Sequence, residues 1–334
     1  MTCRMSQTAM QIEEFIRLAQ AVEAEVGRVI VGQKEVVRSV IIGVICGRHV
    51  LLEGVPGLGK TQLIRTLADV LNLNFSRIQF TPDLMPSDVT GTNVMEESED
   101  GRRTFRFQPG PIFGNLVLAD EINRATPKTQ SALLEAMQEK TVTVAGTNYK
   151  LEPPFFVLAT QNPLEMEGTY PLPEAQLDRF MFKVNVQFPT VDDLVTIIDR
   201  TTGAATPTAQ NAADGAQIIQ MGALALATPV ASHITRYVAR VIVATHPDNP
   251  AAPAMVKDFV RYGASPRGAQ ALILGGKVNA LLEGRFNVSF DDINAVAVSA
   301  LRHRLLLNFE GMAEGISTDV IIGELLKDTQ RVAV

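Results

Sequence analysis

The stretch Gly54-Val55-Pro56-Gly57-Leu58-Gly59-Lys60-Thr61 decides the fold of this chain. It fits the pattern G-x-x-x-x-G-K-[ST], in which glycines let backbone N–H groups curl around a phosphate. In that pattern the lysine reaches the β- and γ-phosphates, and the hydroxyl of the last residue joins the Mg²⁺ shell. The apolar run His49–Glu53 predicts a buried strand before the loop. Gln62–Leu71 predicts a helix after it, whose positive end faces the anion. The loop therefore predicts nucleotide and Mg²⁺ binding.

Strands and helices alternate around that loop. The apolar runs Phe75–Phe80, Leu116–Ala119 and Phe155–Thr160 predict strands. Thr126–Glu139 predicts a helix that begins with an N-capping threonine. Alternation of this kind is typical of an α/β domain built on a mainly parallel sheet.

Two polar segments interrupt the alternation, Thr92–Phe107 and Thr141–Leu151. Each is predicted to form a hairpin, the second turning at Ala145–Gly146. Each can be surface decoration, or it can contact a substrate or partner.

Beyond Pro189 the sequence predicts mainly helices. These are Val191–Arg200, Ile234–Ala244, Arg267–Leu282, Asp291–Arg302 and Asp319–Asp328, with Thr201–Gly215 as a connection. The predicted organisation is an N-terminal helix (1–26), a nucleotide-binding α/β domain (27–189) with hairpin inserts near 92–107 and 141–151, and a small helical domain (190–334).

The predicted strand Leu116–Ala119 ends in two carboxylates, Asp120 and Glu121. With a phosphate loop upstream, Asp120 is placed to hold the Mg²⁺ shell, and Glu121 to orient and polarise the attacking water. The alternative is that the pair only caps the following helix. The upstream loop favours the enzyme.

Three further residues stand where they can serve the same chemistry. Asn162 follows a strand and can position water, or it can simply form a turn. Arg179 can pair with Asp178, or it can reach a γ-phosphate on a neighbouring subunit and neutralise charge in the transition state. Arg267 lies in the first turn of a helix, where a cation is unfavourable. That position suggests a role beyond helix stability, although a plain surface arginine is the alternative.

The composition of the 334 residues limits the class of protein. Hydrophobic residues make up 46% and charged residues 20%, and the net charge of -6 weakens the case for a general nucleic-acid binder. Two cysteines, Cys3 and Cys46, exclude a disulfide framework and a tetrathiolate zinc site. No secretory signal is visible, and the apolar run Val40–Gly47 is too short to cross a bilayer. We therefore expect a cytoplasmic protein without a membrane span.

In combination these residues resemble the AAA+ ATPases and, among them, the MoxR family. The resemblance runs from about Gly27 to Arg267, and the helical remainder is similar to the family's lid. Its most specific stretches are Arg77–Asp88, Gly110–Phe113, Ala119–Ala125 and Ala159–Phe180. The chain departs from the commoner family residues at Met85, Asn115, Thr126 and Met166, and none of these is among the candidate catalytic or nucleotide-binding residues.

The resemblance implies a P-loop NTPase core, a parallel sheet sandwich of the AAA+ type, followed by a small all-α lid. It implies that Asn162 is sensor 1, that Arg179 is an arginine finger acting in trans, and that Arg267 is sensor 2, which reports the γ-phosphate to the lid. The residues implied to lie beside the adenine are Val31, Gly32 and Gln33. The two hairpins look like the family's helix-2 insert and pre-sensor-1 hairpin.

The resemblance also implies a function: an ATP-hydrolysing, chaperone-like motor with ATP and Mg²⁺ as cofactors. It implies a homo-oligomer, a hexameric ring, that works with a partner carrying a von Willebrand factor A domain. A ring-shaped nucleic-acid translocase and a metal-chelatase motor subunit stay open as alternatives. The acidic stretch Glu96–Asp100 and the overall negative charge argue against nucleic acid as the partner.

Overall fold

The structure is a computed structural model, and it describes residues 10–97, 103–163, 168–203 and 207–333. Some sequence predictions lie outside these ranges. They are Cys3 and the start of the N-terminal segment, the tip of the first hairpin at 98–102, Met166, and residues 204–206 of the connection.

The elements are numbered here in chain order. The helices are α1 (Ile12–Val29), α2 (Lys34–Ile45), α3 (Lys60–Val70), α4 (Pro86–Thr90), α5 (Pro127–Glu139), α6 (Glu174–Leu177), α7 (Val191–Thr202), α8 (Gly215–Ala227), α9 (Ser232–Ala244), α10 (Ala254–Phe259), α11 (Pro266–Leu282), α12 (Phe290–Leu301), α13 (Phe309–Ala313) and α14 (Thr318–Ala333). The strands are β1 (Val50–Glu53), β2 (Phe75–Gln79), β3 (Gly91–Glu97), β4 (Arg103–Pro109), β5 (Leu116–Asp120), β6 (Thr141–Val144), β7 (Thr147–Lys150), β8 (Phe156–Gln161), β9 (Phe182–Asn185), β10 (Val260–Tyr262) and β11 (Leu306–Leu307).

The central sheet has the strand order β2-β5-β8-β1-β9, and each neighbouring pair is parallel. This confirms the parallel sheet predicted from the alternation of strands and helices. Because all five strands run the same way, the loops that follow them meet at one edge of the sheet. We call this the carboxyl edge. The residues that precede the strands meet at the opposite, amino edge.

Both faces of the sheet are covered. In β1, Val50 and Leu52 belong to an apolar cluster that includes side chains of α1, α2 and α3, whereas Leu51 belongs to a second cluster with α5. All three of these strand residues have no exposed surface. Burial on both faces explains why the strands are continuous apolar runs without alternation.

The two predicted hairpins are confirmed as the antiparallel pairs β3–β4 and β6–β7. The second turns at Ala145 and Gly146, whose φ angles of +48° and +82° suit a two-residue hairpin turn. The hairpins contact each other, since Phe107 of β4 stacks on Tyr149 of β7 with ring centroids 3.9 Å apart.

The C-terminal third is mainly helical, as predicted, but the sequence predictions missed the helices α8, α10 and α13 and the strand pair β10–β11. Helix α8 was missed because its residues are almost all apolar, so that no polar face reveals the helical period. Its start was detectable, since Asp214 and Gln217 form a reciprocal capping box. The strand pair β10–β11 is short and antiparallel. The capping box expected from Ser289 and Asp292 is present.

The lid helices pack directly on the sheet domain. One apolar cluster runs without interruption from the sheet into α9, α11, α12 and α14. At Gly275 in α11, an added Cβ would lie 2.9 Å from the ring of Phe182 in β9, so a side chain does not fit there. Among the described residues, no single helix is long and apolar enough to span a membrane, although α8 and α9 pass that test together as a pair bent by 94°.

Candidate functional site

The phosphate loop lies at the carboxyl edge, between β1 and α3. Gly57 and Gly59 have φ angles of +84° and +75°, which glycine adopts without strain, and an added Cβ at either would meet nothing within 4 Å. The concave side of the loop is therefore lined by backbone. Lys60 Nζ donates to the carbonyl oxygen of Gly54 at 2.5 Å, so the ammonium lies over the loop.

The two carboxylates predicted to act with this loop follow β5 at the same edge. Thr160, at the end of β8, links them: its hydroxyl donates to Asp120 Oδ1 at 2.7 Å and accepts the backbone N–H of Glu121 at 2.8 Å. Thr160 is buried. Glu121 adopts a φ of +56°, the left-handed region that a non-glycine residue rarely occupies. The threonine therefore fixes both the metal-binding candidate and the water-orienting candidate.

Sequence reasoning missed the residues that donate hydrogen bonds to these carboxylates. Arg77 donates to Asp120 Oδ2 through Nη2 at 2.7 Å and through Nε at 3.2 Å. Gln79 Nε2 and Arg124 Nη1 donate to Glu121 Oε2 at 2.9 and 3.1 Å. The signal was present, because residues 77 and 79 alternate along β2 and so lie on one face of a strand paired with β5.

Asn162 and the three residues expected beside the adenine also lie near the phosphate loop. Asn162 directly follows β8, whose last carbonyl accepts the backbone N–H of Gly54 at 3.2 Å, and its side chain is buried. Gln33 Nε2 donates to the carbonyl oxygen of Leu58 inside the loop at 2.8 Å. Val31, Gly32 and Gln33 line a cavity of 360 Å³.

Residues that sequence reasoning did not identify complete this cavity. They include Asn185, Pro189, Thr190, Asp193 and Arg302. Gly32 is required here, because it has a φ of +74° and an added Cβ would lie 2.4 Å from the Asp193 carboxyl group. The cavity is large enough for a base, and Gln33, which lines it, also bonds to Leu58 in the phosphate loop.

These features fit ATP and Mg²⁺. The backbone cradle at Gly57 and Gly59 and the ammonium of Lys60 suit a polyphosphate. A threonine hydroxyl and a carboxylate oxygen, supplied by Thr61 and Asp120, are ligands that Mg²⁺ prefers.

Arg179 and Arg267 lie elsewhere, at the amino edge. Arg179 precedes β9 and Arg267 begins α11, and both line a cavity of 120 Å³ together with residues that precede β1. None of the phosphate-loop residues is among the described residues that line it. From the residue before β1 to the loop after it, the chain spans roughly 20 Å, which is longer than an arginine side chain. The structure therefore brings the two arginines together and keeps both away from the phosphate loop of their own chain.

One interpretation of the sequence was that Arg179 pairs with Asp178, but in the structure the Asp178 carboxylate has other partners. Its carboxylate accepts Arg304 Nε at 2.7 Å, accepts the Ser265 hydroxyl at 2.9 Å and lies 3.7 Å from Arg267 Nη1. Arg304 is nearly inaccessible and also donates to the carbonyl oxygens of residues 178, 180 and 181. No pattern in the sequence indicates this buried arginine, which fixes the backbone on both sides of Arg179.

Comparison with known proteins identifies the two parts of the chain. Residues 49–182 match the family described as ATPase family associated with various cellular activities (AAA), and residues 253–325 match the AAA lid domain. The chain is 43% identical over 303 residues to Chaperone MoxR1 of Mycobacterium tuberculosis, covering 91% of this chain and 79% of that protein. It is 32% identical over 310 residues to Protein MoxR of Paracoccus denitrificans, covering 86% of this chain and 88% of that protein.

A solved structure agrees with these matches. The crystal structure of a protein from Cytophaga hutchinsonii superposes with a TM-score of 0.88 at 40% sequence identity, covering 95% of this chain and 96% of that one. The predicted fold, an AAA+ core with a parallel sheet followed by a helical lid, is confirmed.

Proposed function

The chain belongs to the MoxR family of AAA+ ATPases, and from that membership we propose that it hydrolyses ATP to ADP and phosphate in order to remodel or activate a protein partner. One observation carries the enzymatic part. The phosphate loop, Asp120 and Glu121 converge at the carboxyl edge of a single parallel sheet, with Thr160 bonded to both acidic residues.

In this proposal each group has a separate task. Lys60 and the backbone N–H groups of Gly57–Thr61 would hold the phosphates, and Thr61 and Asp120 would hold Mg²⁺. Bound there, MgATP supplies the phosphoryl group that is transferred to water. Glu121, fixed by the hydroxyl of Thr160, would orient and polarise that water, and the amide of Asn162 would share in placing it.

The two arginines at the amino edge would act on the nucleotide of a neighbouring copy. Arg179 and Arg267 line a cavity at the amino edge, away from their own phosphate loop, so a second copy would bring its carboxyl edge to them. We therefore propose that hydrolysis takes place at subunit interfaces of a homo-oligomer, a hexameric ring. Arg179 would be the arginine finger, and Arg267 the residue that senses the γ-phosphate across the interface.

The surface of α7 supports assembly. This helix follows the wall of the 360 Å³ cavity, none of its residues is buried, and its apolar side chains recur at helical spacing. Val191, Val195 and Ile198 are 79%, 52% and 48% exposed. A contiguous apolar face of this kind marks an interaction surface, and its position beside the nucleotide cavity favours a second copy as the occupant.

The partner and the compartment are proposals of the same kind. We propose that the motor works in the cytoplasm, where ATP is available, with a partner that carries a von Willebrand factor A domain. Client contact is assigned to the hairpin β3–β4, because the cross-strand neighbours Met95 and Phe105 are 57% and 74% exposed.

Replacing one carboxylate tests the proposal. Glu121→Gln keeps the size of the side chain and its oxygen acceptor, so ATP should bind as in the parent. Release of phosphate should fall by about 10²–10⁴-fold, the contribution of a positioned general base. The measurement is phosphate release by the purified, assembled protein, with Glu135→Gln, an exposed carboxylate of α5, as the matched control. Turnover near that of the parent would reject the assignment.

A further inference from the structure

The amino-edge cavity carries far more positive than negative charge. Its charged lining residues are Arg48, Lys140, Asp178, Arg179, Arg267 and Arg304. Five of these six are cations. They come from five separate segments of the chain: the segment before β1, the end of α5, the loop before β9, the start of α11 and the segment after α12.

The single carboxylate does not balance this charge. Asp178 is already engaged by Arg304, by the hydroxyl of Ser265 and by Arg267. Within the part of the chain that the structure describes, the side chains of Arg48, Lys140 and Arg179 make no hydrogen bond or ion pair. The nearby carboxylate of Glu139 accepts the side-chain amide of Gln138 at 3.1 Å instead.

A buried histidine fixes the two segments that carry Arg48 and Lys140. His49 Nδ1 accepts the backbone N–H of Val157 at 3.0 Å, so Nε2 carries the proton and donates to the carbonyl oxygen of Met137 at 3.1 Å. The start of β1 is thereby joined to the last turn of α5. Burial and, to a smaller extent, the charges of Lys140 and Arg48 lower the pKa of His49 to about 4, so both cations act on the same region.

We propose that Arg48 and Lys140 act with Arg179 and Arg267 as a four-cation receptor for the triphosphate of ATP bound to an adjacent copy of this chain. This inference rests on the proposed function, because it requires hydrolysis at a subunit interface. The ligand is a nucleoside triphosphate, since this is the polyanion that a second copy presents at its carboxyl edge. Arg48 and Lys140 are exposed side chains on rigid backbone, which suits residues that meet their anion only on assembly.

The receptor has a physical consequence for assembly. Without the anion, unpaired cations around one cavity repel each other and any second positive surface. With a triphosphate between the subunits, each cation gains a charge-assisted contact. ATP should therefore favour assembly through all four residues, and the effect of each should shrink as added salt screens it.

The test uses the full chain with Glu121→Gln, so that bound ATP persists, and measures assembly by sedimentation velocity with and without MgATP. Adding Lys140→Gln or Arg48→Gln should raise the protein concentration needed for ATP-dependent assembly about tenfold, since a unit charge at a partly screened contact has an effect of this order. Affinity of the unassembled subunit for a fluorescent ADP analogue should stay as in the parent.

Conservative variants separate charge from structure. Lys140 has a φ of +54°, and glutamine and arginine experience the same backbone strain there as lysine. Lys140→Arg should therefore restore ATP-dependent assembly, whereas Lys140→Gln should not. Lys150→Gln, on an exposed residue of β7 outside the cavity, is the matched control and should behave as the parent.

The outcomes distinguish the two proposals. If Arg179→Ala impairs ATP-dependent assembly or turnover but Lys140→Gln and Arg48→Gln assemble as the parent, the four-cation receptor is wrong and the interfacial ATPase stands. If the parent neither assembles with ATP nor hydrolyses it, both proposals are wrong. If Lys140→Gln weakens nucleotide binding by the unassembled subunit, that residue serves its own site and the receptor is again overturned.

Discussion

The two edges of the central sheet differ in how they balance charge. At the carboxyl edge each catalytic candidate has partners within the chain: Asp120 is bonded to Arg77 and Thr160, and Glu121 to Gln79 and Arg124. At the amino edge several cations face one carboxylate that is already engaged. One edge is therefore electrostatically complete in a single subunit, and the other becomes complete only when something brings an anion.

The unequal charge balance of the two edges suggests how turnover is controlled. In the proposed mechanism a single subunit can bind nucleotide, but the arginine that would neutralise charge in the transition state comes from a neighbouring copy. That arginine lies at the amino edge, away from the phosphate loop of its own chain. Assembly of subunits should therefore act as the switch, and the following predictions test the separation of the two edges.

The largest expected effect comes from removing the cation that crosses the interface. Arg179→Ala should reduce turnover of the assembled protein by about 10³–10⁵-fold, the contribution of an arginine finger. Nucleotide affinity of the single subunit should not change, because Arg179 does not line its own nucleotide cavity. Phosphate release and equilibrium binding measure the two quantities separately.

The control for this prediction is to mix Arg179→Ala with a second variant, Lys60→Ala. Lys60→Ala removes the phosphate-loop lysine and leaves the amino edge intact, so each variant alone should be nearly inactive. Together they form interfaces that pair an intact phosphate loop with an intact Arg179, and part of the activity should return. No recovery after demonstrated subunit exchange would mean that Arg179 acts within its own chain, and the comparison of the two edges would fail.

The two edges also differ in how far the sequence reveals them. The carboxyl edge was predictable, because Gly54–Thr61 is contiguous and Asp120 and Glu121 directly follow an apolar run. The partners of these carboxylates were not predicted, since Arg77 meets Asp120 only through the pairing of β2 with β5. Strand order is set by packing and by connections that a single sequence does not display.

The amino edge was predictable only in fragments. Arg179 and Arg267 were identified as single residues, and the family resemblance implied that each contacts a γ-phosphate. Their actual neighbours, Arg48 and Lys140, follow from the tertiary arrangement of α5, β1 and α11. Resemblance to a family supplies roles for matching positions, but it does not say which positions of one subunit share a cavity.

A smaller effect is expected from acid, through the histidine beneath the amino edge. Burial lowers the pKa of His49 to about 4 from an ordinary value of 6.5. The folded state thus binds this proton less readily than the unfolded chain. Stability from neutral His49 is fully present above pH 6.5 and is lost as the pH falls toward 4, by about 3 kcal/mol in all.

Urea unfolding at a series of pH values measures this loss. His49→Gln, which keeps one donor and one acceptor, should flatten the fall in the free energy of unfolding between pH 6.5 and 4. Part of the fall should remain, because burial also lowers the pKa of His303. His233→Gln, on the exposed surface of α9, should retain the parent's full dependence on pH. If the free energy of unfolding falls equally steeply with pH in His49→Gln and in the parent, the neutral His49 does not stabilise this edge.

A small effect is expected from the ion pair between Arg77 and Asp120 at the carboxyl edge. Arg77 occupies Asp120 Oδ2, an oxygen that Mg²⁺ would otherwise find available, so metal binding must weaken this ion pair. The ion pair contributes little free energy, since the Arg77 side chain is 47% exposed. Arg77→Gln should therefore raise the affinity for Mg²⁺ in the presence of ATP by only about two- to fivefold. A Mg²⁺ titration of the binding of a fluorescent ATP analogue measures this change without relying on turnover.

Arg103→Gln is the matched control for that titration, because Arg103 forms an exposed ion pair with Glu97 on the hairpin β3–β4, away from the phosphate loop. It should leave the Mg²⁺ dependence unchanged. If Arg77→Gln weakens Mg²⁺ binding instead, Arg77 holds Asp120 in position for the metal and does not compete with it. In that case the carboxyl edge is preorganised by its internal ion pair. The contrast with the amino edge then becomes one between a site already set for its ligand and a site that only a second subunit can complete.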